Sequence, residues 1–402
     1  MRIIIMNDQP AKLKKVAIFL AVIFTVPLPT MAHADWSIIG LGTLGEVNSQ
    51  ANDINDSGQV AGLISGTTMH AFITGLNGVG MVDLGTLGGV LSQAFGINNS
   101  GQVVGYSSIT GYDGARAFIT GPNGVGMTDL GTLGGRASYA YGINDSGQVV
   151  GGSSTASGLT HAFITGPNGI GMTDLGTLLG GTNSFAYDIN DSGQVVGVAS
   201  TTDPYGPRAF ITGPNGIGMT DLGTLGGRAS YAYGINDSGQ VVGDSSVIDF
   251  DGAPRAFITG PNGINMTDLG TLGGRDSRAY DINDSGEVVG VAYTARGELH
   301  SFIFSHGGMT DLSLLTPVVA AGWTNLYALS INNNGQIAGY GHHQGHDEAF
   351  LLSYTSDTVF DPKPIYIPPV PEPETYLMLL GGLGLIGYMS RRRKEAAILI
   401  QT

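Results

Sequence analysis

Residues 127–151 read MTDLGTLGGRASYAYGINDSGQVVG, and closely similar segments recur along the 402-residue chain. The isoleucine of the Ile-Asn pair marks each copy, at Ile54, Ile97, Ile143, Ile189, Ile235, Ile282 and Ile331. Successive isoleucines are 43 to 49 residues apart. A period of this length predicts a repeat protein in which each unit buries its apolar side chains against its neighbours.

Within a repeat, apolar and small residues alternate with a period of two, which predicts β-strands rather than helices. The sequence Asn144-Asp145-Ser146-Gly147 is typical of a type I turn closed by a left-handed glycine, and Gly166-Pro167-Asn168-Gly169 predicts a second tight turn. The repeat around Ile143 is therefore predicted to contain four strands, at 139–143, 148–151, 161–165 and 172–178.

Four short antiparallel strands in about 46 residues are typical of one blade of a β-propeller. The segment 38–45 has the sequence of a fourth strand but no strand precedes it, whereas the last repeat has strands at 326–331, 336–340 and 349–352 and no fourth. We therefore predict an all-β, seven-bladed β-propeller over residues 35–357, closed by the N-terminal strand. A β-solenoid or a different closure is the alternative.

Composition excludes several classes of protein. The chain has 66 glycines without a collagen period, and 42% of its residues are hydrophobic, which argues against disorder. It contains no cysteine, which excludes disulfides, thiolate metal sites and a cysteine nucleophile. The region between the end segments contains nine Lys and Arg and 28 Asp and Glu, which gives a net charge of −19. No nucleic-acid partner is therefore predicted.

The N-terminus has the three parts of a secretory signal peptide. Lys12, Lys14 and Lys15 precede an apolar run at 16–26, and Ala32 and Ala34 form an A-x-A cleavage site. We predict that residues 1–34 are removed during export by the Sec machinery.

The C-terminus carries a second signal, after a proline-rich linker at 358–370. Pro371, Glu372 and Pro373 are followed by an apolar segment at 376–389 and by the basic residues Arg391, Arg392, Arg393 and Lys394. The region 371–394 resembles the PEP-CTERM sorting signal of Gram-negative bacteria, although a tail at 395–402 departs from the pattern. The resemblance implies processing by an exosortase and release or attachment at the cell surface. A hydrophobic helix at 376–389 is shorter than the ~20 residues of a membrane span, so any transmembrane anchoring is expected to be transient.

The repeats also resemble the extracellular HAF-repeat family. His or Arg followed by Ala-Phe recurs, as at His70, Arg116, His161, Arg208 and Arg255, together with the DLGTLGG and GINDSGQVVG segments. The resemblance implies an extracellular location and leaves activity open.

Metal binding is the weaker interpretation of two kinds of segment, one rich in oxygen ligands and one rich in histidine, and no cofactor is predicted. Segments 53–58, 188–193 and 281–286 share the sequence Asp-Ile-Asn-Asp-Ser-Gly, which is similar to a calcium loop, but other repeats replace the leading Asp by Gly or Ser, and a hairpin turn explains the pattern. The cluster 342–348 (HHQGHDE) is predicted to lie in a loop, as solvated histidines or, less favoured, a divalent-metal site.

Aromatic residues and departures from the repeat are the remaining candidates. Tyr139, Tyr141, Tyr231 and Tyr233, with Phe185 and Tyr187 in the same register, are predicted to be core, with sugar stacking as the alternative. Asp244 is predicted to be a solvated strand-end residue. The insert 312–326 contains Trp323, which is predicted to fill a blade junction rather than a ligand pocket.

The sequence contains no G-x-S-x-G, H-E-x-x-H or P-loop motif, so no catalytic residue is predicted. We expect an exported surface or matrix protein that acts as a non-catalytic interaction module, with an extracellular polysaccharide or a surface protein as partner. A carbohydrate-binding propeller is the alternative, and a polysaccharide-active enzyme is less favoured.

Overall fold

A computed structural model describes residues 35–111, 114–202, 206–248 and 252–355. The predicted signal peptide, the linker 358–370, the sorting signal 371–394 with its helix 376–389, and the tail 395–402 lie outside the described residues. The boundaries predicted for these segments therefore stay predictions.

The described chain consists almost entirely of β-strands. They are β1 (Asp35–Gly40), β2 (Asn48–Ile54), β3 (Val60–Ser65), β4 (Met69–Thr74), β5 (Met81–Gly85), β6 (Gly88–Ile97), β7 (Val103–Ile109), β8 (Ala115–Thr120), β9 (Met127–Asp129), β10 (Gly134–Ile143), β11 (Val149–Thr155), β12 (Thr160–Thr165), β13 (Met172–Gly176), β14 (Ser184–Ile189), β15 (Val195–Ala199), β16 (Arg208–Thr212), β17 (Met219–Asp221), β18 (Gly226–Ile235), β19 (Val241–Val247), β20 (Pro254–Ile258), β21 (Thr267–Gly270), β22 (Gly273–Ile282), β23 (Val288–Thr294), β24 (Leu299–Ser305), β25 (Gly308–Asp311), β26 (Thr324–Ile331), β27 (Ile337–His343) and β28 (His346–Thr355). A short helix, α1 (Thr316–Ala320), precedes β26.

We number the repeats by their strands. Repeat 1 is β2–β5, repeat 2 is β6–β9, repeat 3 is β10–β13, repeat 4 is β14–β17, repeat 5 is β18–β21, repeat 6 is β22–β25, and repeat 7 is β26–β28 with β1. Each repeat is an antiparallel sheet of four strands, and a single parallel bridge between Met69 and Leu91 joins repeats 1 and 2 into an eight-stranded sheet. The fold is thus all-β and propeller-like, as predicted.

The N-terminal strand pairs with the last repeat, from Asp35 opposite Thr355 to Gly40 opposite Phe350. This strand ends earlier than the predicted 38–45, because Gly42, Leu44 and Gly45 all have positive φ and leave the extended conformation. The last hairpin is longer than predicted, since β27 and β28 are joined only by Gln344 and Gly345.

The predicted turns follow from local hydrogen bonds. In repeat 3, the Gly147 amide donates to the Asn144 carbonyl at 2.9 Å, and Gly147 has a φ of +77°. The Asn144 side-chain oxygen also accepts the Gln148 amide at 3.0 Å and the Ser146 hydroxyl at 2.8 Å. The Pro167–Gly169 turn places Asn168 in the left-handed region, a conformation that asparagine tolerates.

Each repeat contributes one fully buried phenylalanine to the core, at Phe72, Phe118, Phe163, Phe210, Phe257, Phe302 and Phe350. The inner strands approach so closely that a Cβ on Gly151 would lie 1.9 Å from the Tyr139 carbonyl oxygen. Neighbouring repeats are tied by serines: the Ser138 hydroxyl accepts the Ala117 amide of repeat 2 at 2.9 Å and donates to the Gly131 carbonyl at 2.6 Å.

Candidate functional site

The Ile-Asn turns of successive repeats form a continuous hydrogen-bond circuit. Each asparagine side chain donates to the backbone carbonyl of the equivalent asparagine in the next repeat; for example, Asn144 donates to Asn190 at 3.1 Å. Asn332 of the last repeat donates to Asn55 of the first at 2.9 Å. The members of the circuit are Asn55, Asn98, Asn144, Asn190, Asn236, Asn283 and Asn332.

The next residue of each turn forms a second circuit around a cavity of about 170 Å³. Each backbone amide donates to the side-chain oxygen of the following member, and Asn333 donates to Asp56 at 2.9 Å. The members are Asp56, Asn99, Asp145, Asp191, Asp237, Asp284 and Asn333. One side-chain oxygen of each Asp or Asn in this circuit therefore accepts a backbone amide of the neighbouring repeat. Among the described residues, no group of three or more acidic or histidine side chains is arranged to hold a metal ion.

The leading aspartates of three repeats line a second cavity, of about 120 Å³. Asp188 accepts the amide of Ile189 at 2.8 Å and, with its other oxygen, that of Ile235 in the next repeat at 2.9 Å. Asp53 and Asp281 make the equivalent contacts. Each of these carboxyl groups therefore accepts a hydrogen bond from the next repeat. This role explains the leading aspartates without a calcium ion.

Ser330 links two of these aspartates. Its hydroxyl oxygen lies 2.7 Å from Asp53 Oδ1 and 2.7 Å from Asp281 Oδ2. A hydroxyl has one hydrogen to donate. Both contacts are therefore hydrogen bonds only when one carboxyl is protonated and donates to the Ser330 oxygen. In agreement, burial and the nearby charge of Asp281 raise the pKa of Asp53 to about 7, and burial raises the pKa of Asp281 and of Asp188.

These raised pKa values predict that stability falls as pH rises from about 4 to 7 through the titration of Asp53. The folded protein binds the proton more tightly than the unfolded chain, so this contribution is complete below the unfolded pKa and is lost as pH passes the folded pKa. We expect a loss on the order of 2–4 kcal/mol, measured by urea unfolding between pH 4.5 and 7.5.

Asp53→Asn cannot titrate and should flatten this pH profile, even though it loses part of its backbone contacts. The control is Asp129→Asn, which removes an exposed carboxylate that accepts the local Gly131 amide and does not line the cavity beside Asp53. An unchanged slope for Asp53→Asn would exclude Asp53 as the titrating group.

Aromatic rings surround the same cavity. Phe95, Tyr141, Tyr187, Tyr233 and Tyr280 contact one another in series, with ring centroids 5.2 to 6.1 Å apart. They are half-buried, whereas the alanine that precedes each of them is fully buried on the other face of the strand. The prediction that Tyr141, Tyr187 and Tyr233 are core is therefore correct only in part: their rings pack on each other beside a cavity. Tyr139, Phe185 and Tyr231 are also half-buried.

Asp244 is buried, so the prediction of a solvated strand-end residue is wrong. Only 5% of the residue is exposed, and its Oδ1 lies 3.7 Å from Nε of Arg278 in repeat 6. Burial raises the pKa of Asp244 to about 6. Equivalent positions at the junction between repeats 2 and 3 hold Tyr106 and Tyr139 in ring contact. An ion pair thus replaces an aromatic pair at one junction, and Arg278 is the partner that sequence analysis missed.

The signature His or Arg before Ala-Phe has a structural role. His70 and His161 lie 2.8 Å from the aspartate of the adjacent fourth strand, at Asp83 and Asp174, and His300, which precedes Ser-Phe in repeat 6, lies 2.7 Å from Asp311. Arg255 lies 3.7 Å from Asp268 in the equivalent position. The two recurrent sequence segments are thus paired across one strand interface.

The histidine cluster lies in strands and not in a loop, because β27 and β28 extend almost to the turn. His343 lies 2.6 Å from Glu348, and its ring stacks on Trp323 with centroids 4.2 Å apart. Glu348 in turn accepts the Gly42 amide at 3.0 Å. These contacts join the last hairpin to the segment that follows β1.

The insert between β25 and β26 replaces the GTLGG segment of the other repeats at the junction of repeats 6 and 7. Trp323 is 4% exposed and packs with Leu312, Val318 and Phe350, which agrees with the prediction that it fills the junction. Outside this apolar cluster the insert borders a cavity of about 850 Å³, which we name the junction cleft. It is lined by Glu298, Leu299, His300, Ser313, Leu314, Val319, Gly322, Trp323, Thr324, Asn325, Tyr327, Tyr340 and Asp347.

A smaller cavity of about 190 Å³ lies next to the junction cleft, and Leu299 and Tyr327 line both. Asp276, Arg278 and Tyr293 also line the smaller cavity. Tyr327 and Tyr340 stack in parallel, with centroids 4.9 Å apart and planes 4° apart. Two departures from the repeat, the insert with Trp323 and the substitution at Arg278, thus lie beside neighbouring cavities. The sequence does not show that they are close together.

Comparison with known proteins identifies one sequence motif and a fold. Residues 369–394 match the PEP-CTERM protein-sorting motif, which exosortases recognise. No curated protein matches the chain in sequence. The described part of the chain contains no helix with the length and apolar character needed to cross a membrane.

Solved structures with a similar fold share little sequence. The β-propeller domain of the Trilobed protease from Pyrococcus furiosus, described as having an open velcro topology, aligns with a TM-score of 0.54 at 10% identity, over 80% of this chain and 98% of that chain. Acylaminoacyl peptidase from Pyrococcus horikoshii aligns with a TM-score of 0.51 at 9% identity, over 79% of this chain and 52% of the peptidase. At these identities the similarity concerns the fold alone.

Proposed function

We propose that this protein is an exosortase-sorted, non-catalytic interaction module at the surface of a Gram-negative bacterium. In this proposal the signal peptide at 1–34 directs export, and the repeats form an HAF-type propeller that contacts a polysaccharide or a surface protein. The observation that carries the proposal is the PEP-CTERM motif at 369–394, because this motif implies exosortase-sorted export.

The non-catalytic part of the proposal is supported by what the repeated polar side chains do. The turn asparagines and aspartates accept or donate hydrogen bonds between repeats, and the His or Arg residues of the outer strands pair with aspartates. Groups engaged in this way hold the fold together. The peptidase domains that share the fold are too distant in sequence to transfer an activity.

We further propose that the seven repeats form seven blades of a closed ring. Two features support closure: β1 pairs with β28, and both turn circuits run from the last repeat back to the first. A solenoid would leave its first and last repeats apart and would need capping units.

Processing of the C-terminus tests the proposed sorting. In a Gram-negative host that encodes an exosortase, we expect the mature protein to begin at Asp35, to lose its C-terminal tail and to reach the surface, as measured by intact mass and cell fractionation. Glu372→Ala should retain the tail and remain with the membrane fraction, whereas Pro368→Ala, just outside the matched motif, should be processed normally. Normal processing of Glu372→Ala, or of the wild type in a host without exosortase, would rule the proposal out.

A further inference from the structure

We infer that the junction cleft binds a neutral oligosaccharide, built from hexose or N-acetylhexosamine units. This inference rests on the proposed function, since an exported interaction module meets extracellular glycans. It assigns the contact to one place in the fold, at the junction of repeats 6 and 7.

The first argument is that a hydrogen bond found at five other junctions is replaced by the insert at the junction of repeats 6 and 7. At the five preceding junctions between repeats, a threonine hydroxyl donates a hydrogen bond to a glycine carbonyl three or four residues later, and this bond holds the connecting segment. Thr271, for example, donates to Gly274 at 2.9 Å. The other threonines are Thr86, Thr132, Thr177 and Thr224. After β25 the chain instead forms α1, and Leu312, Val318 and Trp323 pack into the apolar cluster of the junction. The junction cleft is the space beside this detour, and packing of the repeats does not require it.

The second argument is the size and lining of the cleft. At about 850 Å³ it lies within the ~300–1,000 Å³ range of small-ligand sites. Tyr327 and Tyr340 supply aromatic surface, while Ser313, Thr324 and Asn325 supply hydroxyl and amide groups. A pyranose has an apolar C–H face and an edge of hydroxyl groups. This combination fits an aromatic wall flanked by polar side chains.

The third argument is charge, which selects among sugars. Glu298 and Asp347 stand at the cleft with side chains that are 61% and 57% exposed. His300 is paired with Asp311, and among the described residues no Lys or Arg lines the cleft. Arg278, in the adjoining smaller cavity, is paired with the buried Asp244. An acidic sugar would meet carboxylates without a free cation, so the cleft favours uncharged sugars.

Asn325 adds an amide group to the cleft. It is exposed and has a φ of +49°, a left-handed conformation that asparagine tolerates. It lies in β26 between Thr324 and Tyr327, where the pairing with β27 is irregular, and it lines the cleft.

The test is isothermal titration of the secreted mature protein with cellohexaose, mannohexaose and chitohexaose as neutral probes, and with hexagalacturonate as the acidic probe. We expect at least one neutral probe to bind and hexagalacturonate not to bind. Tyr327→Ala should weaken binding by about tenfold or more, because it removes the aromatic wall, and Tyr327→Phe should restore it to within about threefold. Tyr139→Ala is the matched control, since Tyr139 holds the equivalent position in repeat 3 and should leave binding unchanged.

Circular dichroism and the melting temperature show whether each variant is folded. Asn325→Gly provides a second cleft variant that leaves the core untouched, since Asn325 is exposed and glycine keeps the positive φ; by removing the amide group it should weaken neutral-sugar binding measurably. Binding of no neutral probe, binding of hexagalacturonate in preference, or equal loss in Tyr139→Ala and Tyr327→Ala would overturn the inference. Its failure is distinct from failure of the sorting proposal: a protein that is processed and exported but binds no neutral sugar refutes the inference alone, and one that binds sugar without exosortase processing refutes the sorting proposal alone.

Discussion

Deletion of residues 35–40, which form β1, is expected to lower the free energy of unfolding by roughly 5 kcal/mol. The strand supplies the fourth strand of repeat 7, and Trp36 and Ile38 pack against the apolar cluster that contains Trp323 and Leu352. Its loss exposes that cluster and leaves one edge of β28 unpaired, which costs both apolar burial and backbone hydrogen bonds. Urea unfolding of the mature protein with and without these residues measures the difference.

The control for this deletion is Ile39→Ala on the same strand. Ile39 is 46% exposed, so its truncation should cost less than about 1 kcal/mol. A deletion that costs no more than Ile39→Ala would mean that β1 does not complete repeat 7.

Truncation of the buried phenylalanine in any repeat is expected to cost about 3–5 kcal/mol, with similar values in the first, middle and last repeats. Phe72, Phe210 and Phe350 are all completely buried, although they belong to repeats 1, 4 and 7. In a closed ring every repeat has two neighbours, so Phe72→Ala, Phe210→Ala and Phe350→Ala should leave comparable cavities. Urea unfolding of the three variants gives the comparison.

A stability gradient would contradict the closed arrangement. In an open array the end repeats have one neighbour each and fray first, so Phe72→Ala and Phe350→Ala would cost markedly less than Phe210→Ala. Agreement within about 0.5 kcal/mol among the three, as for independent equivalent sites, supports closure.

The sequence predicts well what local chemistry controls. The Asn144–Gly147 turn follows from an asparagine that accepts three local hydrogen bonds through its backbone and side-chain oxygens, and from a glycine at positive φ. Pairing of the N-terminal strand with the last repeat followed from counting strands, because an incomplete repeat at each end leaves complementary unpaired edges.

What the sequence did not predict depends on contacts between repeats. Asp244 looks like an isolated departure until Arg278, 34 residues away, is seen to face it across a junction. Ser330 looks like a loss of aspartate, yet it bridges Asp53 and Asp281 from the first and sixth repeats. Residues that depart from the repeat pattern and contact one another can lie far apart in the sequence. A single sequence therefore shows that each residue departs from the pattern, but not which residue it contacts.

The junction cleft illustrates the same limit. The insert at 312–326 is visible as a break in the repeat, and Trp323 within it is correctly predicted to fill the junction. The cavity beside it depends on the path of α1 and on the stack of Tyr327 with Tyr340, which are tertiary features. The sequence predicts a loop for the histidine cluster because the strand propensity of 342–348 is weak, whereas tertiary pairing extends the hairpin through it.

Covalent joining of the two chain ends tests ring closure most directly. The chain contains no cysteine, and Ser37 lies directly opposite Ser353 in the β1–β28 pair, within the Cα separation that a disulfide spans. Oxidised Ser37→Cys/Ser353→Cys should form an intramolecular disulfide in full yield on a non-reducing gel and gain about 5 kcal/mol of stability, as expected for closing a very long loop. Ser37→Cys/Gln344→Cys, with the second cysteine at the far turn of the hairpin, should not crosslink. Equal crosslinking of the two pairs, or none for Ser37→Cys/Ser353→Cys, would contradict closure by the N-terminal strand.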